Sequence, residues 1–220
     1  MTRWQVVPLD EIAGYADEGR PRWHMIRSSL GIDAFGVNAW RATAAGQELI
    51  GEHDELGQGA GGHEELYLVV SGHATFTVDG KTVEAPERSV VFVKDPAVRR
   101  SAVARDEGTT ILVVGARTGS PFEVSEWERS AEALRYWPTG EWDKAIEVLE
   151  RHHAEHPDSA GVLYNLACAE ARCGRHDEAL GHLGEAIALE PRFLEHAQGD
   201  EDLNAVRDDF RSGRQVRQCL

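Results

Sequence analysis

The chain has 220 residues, of which 41% are apolar or aromatic and 28% charged, enough apolar material for a sizeable core and too much for a disordered tail. At about 150 residues per domain this length accommodates one large domain or two small ones. The 38 acidic and 23 basic residues give a net charge of −15, which opposes the phosphate neutralisation needed to bind DNA, RNA or an anionic membrane. No apolar run approaches the roughly 18–20 residues that span a bilayer, and Met1 to Pro21 is broken by charges, so a cytoplasmic protein is expected.

In chain order, Arg22-Trp-His-Met-Ile26 reads as an early strand on which His24 is an ordinary histidine. From Val37 to Ala116 short β-branched runs alternate with glycine, proline or acidic turns. Strands are predicted at Val37 to Ala42, Glu48 to His53, Glu65 to Val70, Ala74 to Val78, Val90 to Val93 and Thr110 to Val114. Asp79-Gly80, between Ala74 to Val78 and Lys81 to Glu84, is a strong hairpin signal. Many short, evenly spaced strands indicate a sandwich or small barrel.

After Arg117-Thr-Gly-Ser-Pro121 the texture changes. Ser125-Glu-Trp-Glu128 has capping-box spacing, and helical periodicity runs on to Gln198. The residues up to Phe122 carry 12 bases and 17 acids, and those after it 11 and 21, so the net charges are −5 and −10. The expected organisation is therefore an α+β chain of two domains: residues 1–120 with an amino-terminal extension, a linker at 121–124, and helices over 125–220.

Gly140 and Gly174, Ala145 and Ala179, Leu149 and Leu183, and Pro157 and Pro191 are each 34 residues apart. Gly140-Glu-Trp-Asp-Lys-Ala145 recurs as Gly174-Arg-His-Asp-Glu-Ala179. This pattern resembles the tetratricopeptide repeat, with units over about 125–158 and 159–192 and a capping helix over about 200–211. Leu163, Leu166, Ala167, Leu183 and Ala186 also fall where that repeat wants them. The departure is His152, where a small residue is usual and looser packing is expected. The resemblance implies a surface for a protein partner.

Gly51-Glu-His53-Asp-Glu55, followed by Gly61-Gly-His63-Glu-Glu65-Leu-Tyr-Leu-Val-Val-Ser-Gly72, resembles the first motif of the cupin family. Gly80-Lys-Thr-Val-Glu-Ala-Pro86 and Val90-Val-Phe-Val93 leading to Pro96 resemble the second. Over residues 36–116 the resemblance implies an antiparallel β-barrel of jelly-roll type and a homodimer formed through the barrels. It also implies one divalent transition metal (iron, manganese, nickel, copper or zinc), held by histidines and a glutamate. The chain departs from the family at the second H-x-H position, which is Glu55, and at the second-motif histidine, which falls at or beside Arg99.

Two readings of these residues follow. In one, His53, His63 and Glu65, joined by Glu55, bind the metal; Arg99 faces into the barrel to hold an anionic ligand, and Tyr67, in phase with Glu65, acts as acid or hydrogen-bond donor. Tyr67 and Arg99 are then the candidate catalytic residues, and Arg99 and Glu55 the candidate ligand-binding ones. In the other, metal binding is lost and Arg99 pairs with Glu65 or Glu55. The leading functional expectation is a protein that binds a metal or small ligand in the barrel and a protein partner through the repeats. Its alternative is a metal-dependent cupin enzyme of oxygenase or isomerase type acting on a small anionic metabolite.

Other signals point to packing. His73 is out of phase with an inward set, and His152, His153 and His156 read as a solvated helix face. Trp40, Trp127, Trp137 and Trp142 suit cores, and Cys168, Cys173 and Cys219 read as reduced thiols. There is no G-x-S-x-G elbow, P-loop, dinucleotide fingerprint or H-E-x-x-H.

Overall fold

The computed structural model describes residues 5–57 and 60–208. The chain divides into two units, Met1–Ser125 and Glu126–Leu220.

The first unit contains β1 (Gly14–Tyr15), β2 (Arg22–His24), a short α1 (Ile26–Leu30), β3 (Gly36–Arg41), β4 (Glu48–His53), β5 (Glu64–Ser71), β6 (His73–Val78), β7 (Lys81–Pro86), β8 (Val90–Val93), β9 (Arg100–Ala104) and β10 (Thr110–Ala116). These form a six-stranded sheet in the order β1-β2-β3-β10-β5-β8 and a four-stranded sheet in the order β4-β9-β6-β7. Every paired strand is antiparallel to its neighbour.

The expected closed barrel is corrected to two open sheets: among the described residues no ladder joins them. The link from β5 to β6 shows why. Gly72 alone carries the chain from one sheet to the other, at φ 75° and so close to Thr109 that a Cβ would stand 2.8 Å from its Cα. A one-residue corner of this kind breaks the ladder instead of continuing it.

Alternation buries Tyr67 and Val69 of β5, Phe76 of β6 and Ile111 of β10 in one core, which the adjacent Leu49 and Ile50 of β4 join where the β4–β9 ladder shifts register. The Asp79-Gly80 turn has positive φ at both residues, 50° and 72°, the type I′ geometry whose twist matches its strands. Two strands were not predicted from the sequence, the two-residue β1 and the longer β9. For β9 the reason is local. Its inward residues after Arg100 are Ala102 and Ala104, which lack the apolar bulk that marks a strand yet are fully enclosed.

His24, on β2, is completely buried, with Nδ1 3.0 Å from the Leu9 carbonyl and no partner for Nε2 among the described residues. Burial, aided by the charge of Arg22, holds its pKa below 6.5. The unfolded chain therefore takes up this proton first as pH falls below 6.5, and stability declines there. In urea titrations the stability gap between wild type and His24→Gln is expected to narrow from pH 7 to pH 5; a constant gap would show that His24 does not titrate in this way.

The second unit comprises α2 (Glu126–Ala131), a 3-10 stretch (Glu132–Thr139), α3 (Trp142–Glu155), α4 (Ala160–Cys173), α5 (His176–Leu189), α6 (Phe193–Gly199) and a 3-10 turn (Glu201–Leu203). Gly140 and Gly174 end the 3-10 stretch and α4 in the left-handed region, at φ 65° and 84°, so the 34-residue offset marks equivalent turns. The stretch before Gly140 contains Pro138 and is not a regular helix, unlike α4 before Gly174. Within the span expected as a capping helix, 200–211, the chain makes a 3-10 turn at Glu201–Leu203, Arg207 and Asp208 are helical, and 209–211 lie outside the described residues. Asp200 caps that turn by accepting from the Asp202 amide at 3.0 Å, which favours a short turn at this point.

The expected solvated histidine face is also corrected: His152 is buried, with Nε2 2.8 Å from Glu132 Oε2. Burial would raise the Glu132 carboxyl, but His152, Arg135 and Arg151 together hold it below the usual range. Cys168 is a buried free thiol and Cys173 a half-buried one; Cys219 lies outside the described residues.

Candidate functional site

Three segments of the β unit converge. The last residue of β4 is His53, and the turn after it carries Glu55; β5 supplies Glu65 and Tyr67, two apart and so on one face; β9 begins with Arg100. In the ladder His53 is the direct partner of Arg100.

Glu55 is anchored in its turn. Its amide donates to the Pro96 carbonyl at 2.8 Å, and its Oε2 accepts from the amides of Gly61 and His63 at 3.0 and 3.2 Å. Gly61 has no room for a side chain, since a Cβ would lie 2.1 Å from the His63 ring. The other oxygen, Oε1, stands 3.8 Å from His53 Nε2, and Glu65 Oε2 stands 3.6 Å from the same nitrogen. One ligand atom from each of His53, Glu55 and Glu65 falls within 4.8 Å of the other two, a group able to hold a metal ion.

The imidazole of His53 is oriented by a 2.8 Å contact from Nδ1 to the Gly51 carbonyl. A proton on Nδ1 leaves the Nε2 lone pair towards the two carboxylates, which is how metal-binding histidines are usually held. Burial works against charge on this ring, but the Glu65 carboxylate and the Gly51 carbonyl raise its pKa above 6.5. Positive charge is thus favoured at the edge that faces the carboxylates.

Arg100 has no exposed side-chain surface. Nη2 donates to Glu65 Oε2 at 2.7 Å, Nε donates to the same oxygen at 3.1 Å and to the Tyr67 hydroxyl at 3.3 Å, and Nη1 donates to the Pro96 and Val98 carbonyls at 3.2 and 2.9 Å. Tyr67 donates its own proton to Glu65. Burial would push the Glu65 carboxyl up, but His53, Tyr67 and Arg100 bring it down to about 2. Burial and the Glu65 charge raise the Tyr67 phenol, so it remains a donor and is no acid near neutrality.

The expectation that Arg99 faces inward is corrected. Its side chain is exposed, 3.0 Å from Glu52 and 3.9 Å from Asp54, and Arg100 is the inward arginine. Strand alternation is the cause: Arg100 is in phase with Ala102 and Ala104, all buried. That phase, read back from the small residues, is the signal that separates the two arginines. His63 adjoins the three-residue group without being one of its members. Its Nδ1 is 3.5 Å from Glu55 Oε2, the oxygen turned away from His53, and its ring stacks on Phe122 at 5.6 Å. The turn at Gly62, with φ 66°, sets His63 outside β5, which begins at Glu64.

No protein-family model matches the chain, and no curated protein sequence matches it. Among solved structures, it is similar to a cupin protein from Bacteroides fragilis, at 21% identity over 55% of this chain and 89% of that one, with a TM-score of 0.41. It is similar to a cupin-superfamily protein from Silicibacter pomeroyi described as a sugar phosphate isomerase, at 20% identity over 52% and 76% of the two chains, TM-score 0.41. It is also similar to a Thermotoga maritima protein described as a predicted oxalate decarboxylase, at 18% identity over 50% and 97%, TM-score 0.41.

Proposed function

We propose that the β unit is a metal-dependent cupin enzyme domain that binds one divalent transition metal through His53, Glu55 and Glu65 and acts on a small molecule with metal-ligating oxygen atoms. The observation that carries this reading is the tethered His53 ring, whose Nε2 faces Glu55 Oε1 and Glu65 Oε2 at 3.8 and 3.6 Å. One imidazole and two carboxylates suit manganese, iron, nickel, copper or zinc. A bound metal would supply Lewis acidity to an oxygen of the guest.

The chain's own residues hold that centre in shape. The Gly61 and His63 amides fix one oxygen of Glu55 and leave the other turned towards His53. Tyr67 donates to Glu65 and holds its carboxylate in place, as hydrogen-bond partners behind a ligating carboxylate commonly do. With Arg99 at the surface and every nitrogen of Arg100 engaged, the support for an anion clamp falls away, and attraction to the metal is what would select the guest.

Elemental analysis of chain made without a histidine tag tests this. Wild type is expected to carry about one transition metal per chain, and the His53→Ala, Glu55→Ala double variant only background. Equal metal in both, or none in wild type after exposure to each of the five metals, would overturn the reading.

A further inference from the structure

Arg100 is placed where a second cation competes for the same carboxylates. It is the register partner of His53, its Nη2 lies 2.7 Å from Glu65 Oε2 and 3.9 Å from Glu55 Oε1, and Glu65 Oε2 also faces His53 Nε2 at 3.6 Å. The guanidinium therefore touches two of the three residues that would hold a metal. Its position is over-determined, because Pro96 and Val98 accept from Nη1 and the side chain is sealed from water. A permanently charged group held this firmly cannot retreat to solvent when another cation arrives.

From this geometry we infer that Arg100 is a built-in counter-ion, which neutralises the acidic pair in the metal-free chain and sets an upper limit on the site's affinity for divalent metals. The inference rests on the proposed metal site but makes a claim of its own: affinity is restrained by a charge the protein itself supplies. A residue that merely supported the fold would weaken metal binding when replaced. Arg100, as a competing cation, does the reverse. Repulsion between a guanidinium and a divalent ion sharing the same carboxylates exceeds a tenfold effect even at the screened dielectric of a protein. Removing the charge leaves Glu55 and Glu65 uncompensated and so more avid for metal.

The test is isothermal titration of the full, tag-free, chelator-stripped chain with Mn²⁺ and with Zn²⁺, in wild type, Arg100→Met, Arg100→Lys and Arg100→His, with thermal melts of each metal-free form. Arg100→Met is expected to bind at least about tenfold more tightly than wild type and to melt lower when metal-free. Arg100→Lys, which keeps the charge, should stay within about threefold of wild type. Arg100→His, which sets an imidazole opposite His53, should bind at least as tightly as Arg100→Met, and it decides the matter if Arg100→Met does not fold. Cooperatively melting variants that lack the charge yet bind no more tightly than wild type overturn the inference while leaving the metal site standing. Tight binding by the Met or His variant with none by wild type upholds the inference and removes the proposed function. Absence of binding in all four chains overturns both.

Discussion

Replacing Glu65 with alanine is expected to cost the metal-free protein about 3–5 kcal/mol of unfolding free energy, because it leaves the Arg100 guanidinium charged and buried without its carboxylate. The Tyr67 hydroxyl would lose its acceptor in the same step. Acid should reveal the same interaction in the intact chain. The Glu65 carboxyl is held at about 2 against an ordinary 4.5, so its charged form belongs to the folded state. A depressed carboxylate contributes stability that is complete above the unfolded value and is lost as pH falls from about 4.5 towards 2. That shift corresponds to about 3 kcal/mol at roughly 1.4 kcal/mol per pH unit, in line with the mutational figure. Urea titrations of wild type and Glu65→Gln should therefore diverge at pH 7 and converge near pH 2.5. Parallel curves across that range would mean that the Glu65–Arg100 pair contributes little.

The residues of this pair also mark how far the sequence could be read. Where a strand carries bulk, the pattern is explicit: β5 and β10 follow the runs at Glu65 to Val70 and Thr110 to Val114, and Asp79-Gly80 makes its hairpin. Where the inward residues are alanines the signal fades, so β9 went unread and with it the phase that turns Arg100 inward and Arg99 outward. Closure into a barrel could not be judged from strand spacing, because it depends on whether a corner such as Gly72 continues a ladder or ends it. Tyr67 was legible from its period-two spacing with Glu65, whereas His53 and Glu65 came from the resemblance of the Gly51 to Gly72 segment to a cupin motif. Glu55 was named beside His63, but that Glu55 falls with His53 and Glu65 is decided by a turn in which it accepts from the amides of Gly61 and His63. In the helical unit the 34-residue offset located both turn glycines, but it carried no warning that the segment ending at Gly140 is a 3-10 stretch.

The helical unit yields the second substitution of comparable size, Leu166→Ala. Leu166 is fully buried on α4 in a cluster with Ala133, Ala145, Ile146, Leu149, Val162 and Ala169. Truncation of a buried leucine costs about 2–5 kcal/mol, the value depending on how far the neighbours close the cavity. Here collapse is restricted. Three of the six neighbours are alanines, which have no rotamers to swing into the space, and Val162 is β-branched and stiff at χ1. Of the buried neighbours, Ile146 and Leu149 of α3 are the two with rotamers to spare, and both are already enclosed. The loss should therefore lie in the upper half of the range, about 3–5 kcal/mol, read from urea unfolding followed by helical circular dichroism. Leu194→Ala, at a side chain 44% exposed on α6, should cost under about 1 kcal/mol in the same assay. If the two variants unfolded at the same urea concentration, Leu166 would not be the close-packed centre between α3 and α4 that its burial indicates.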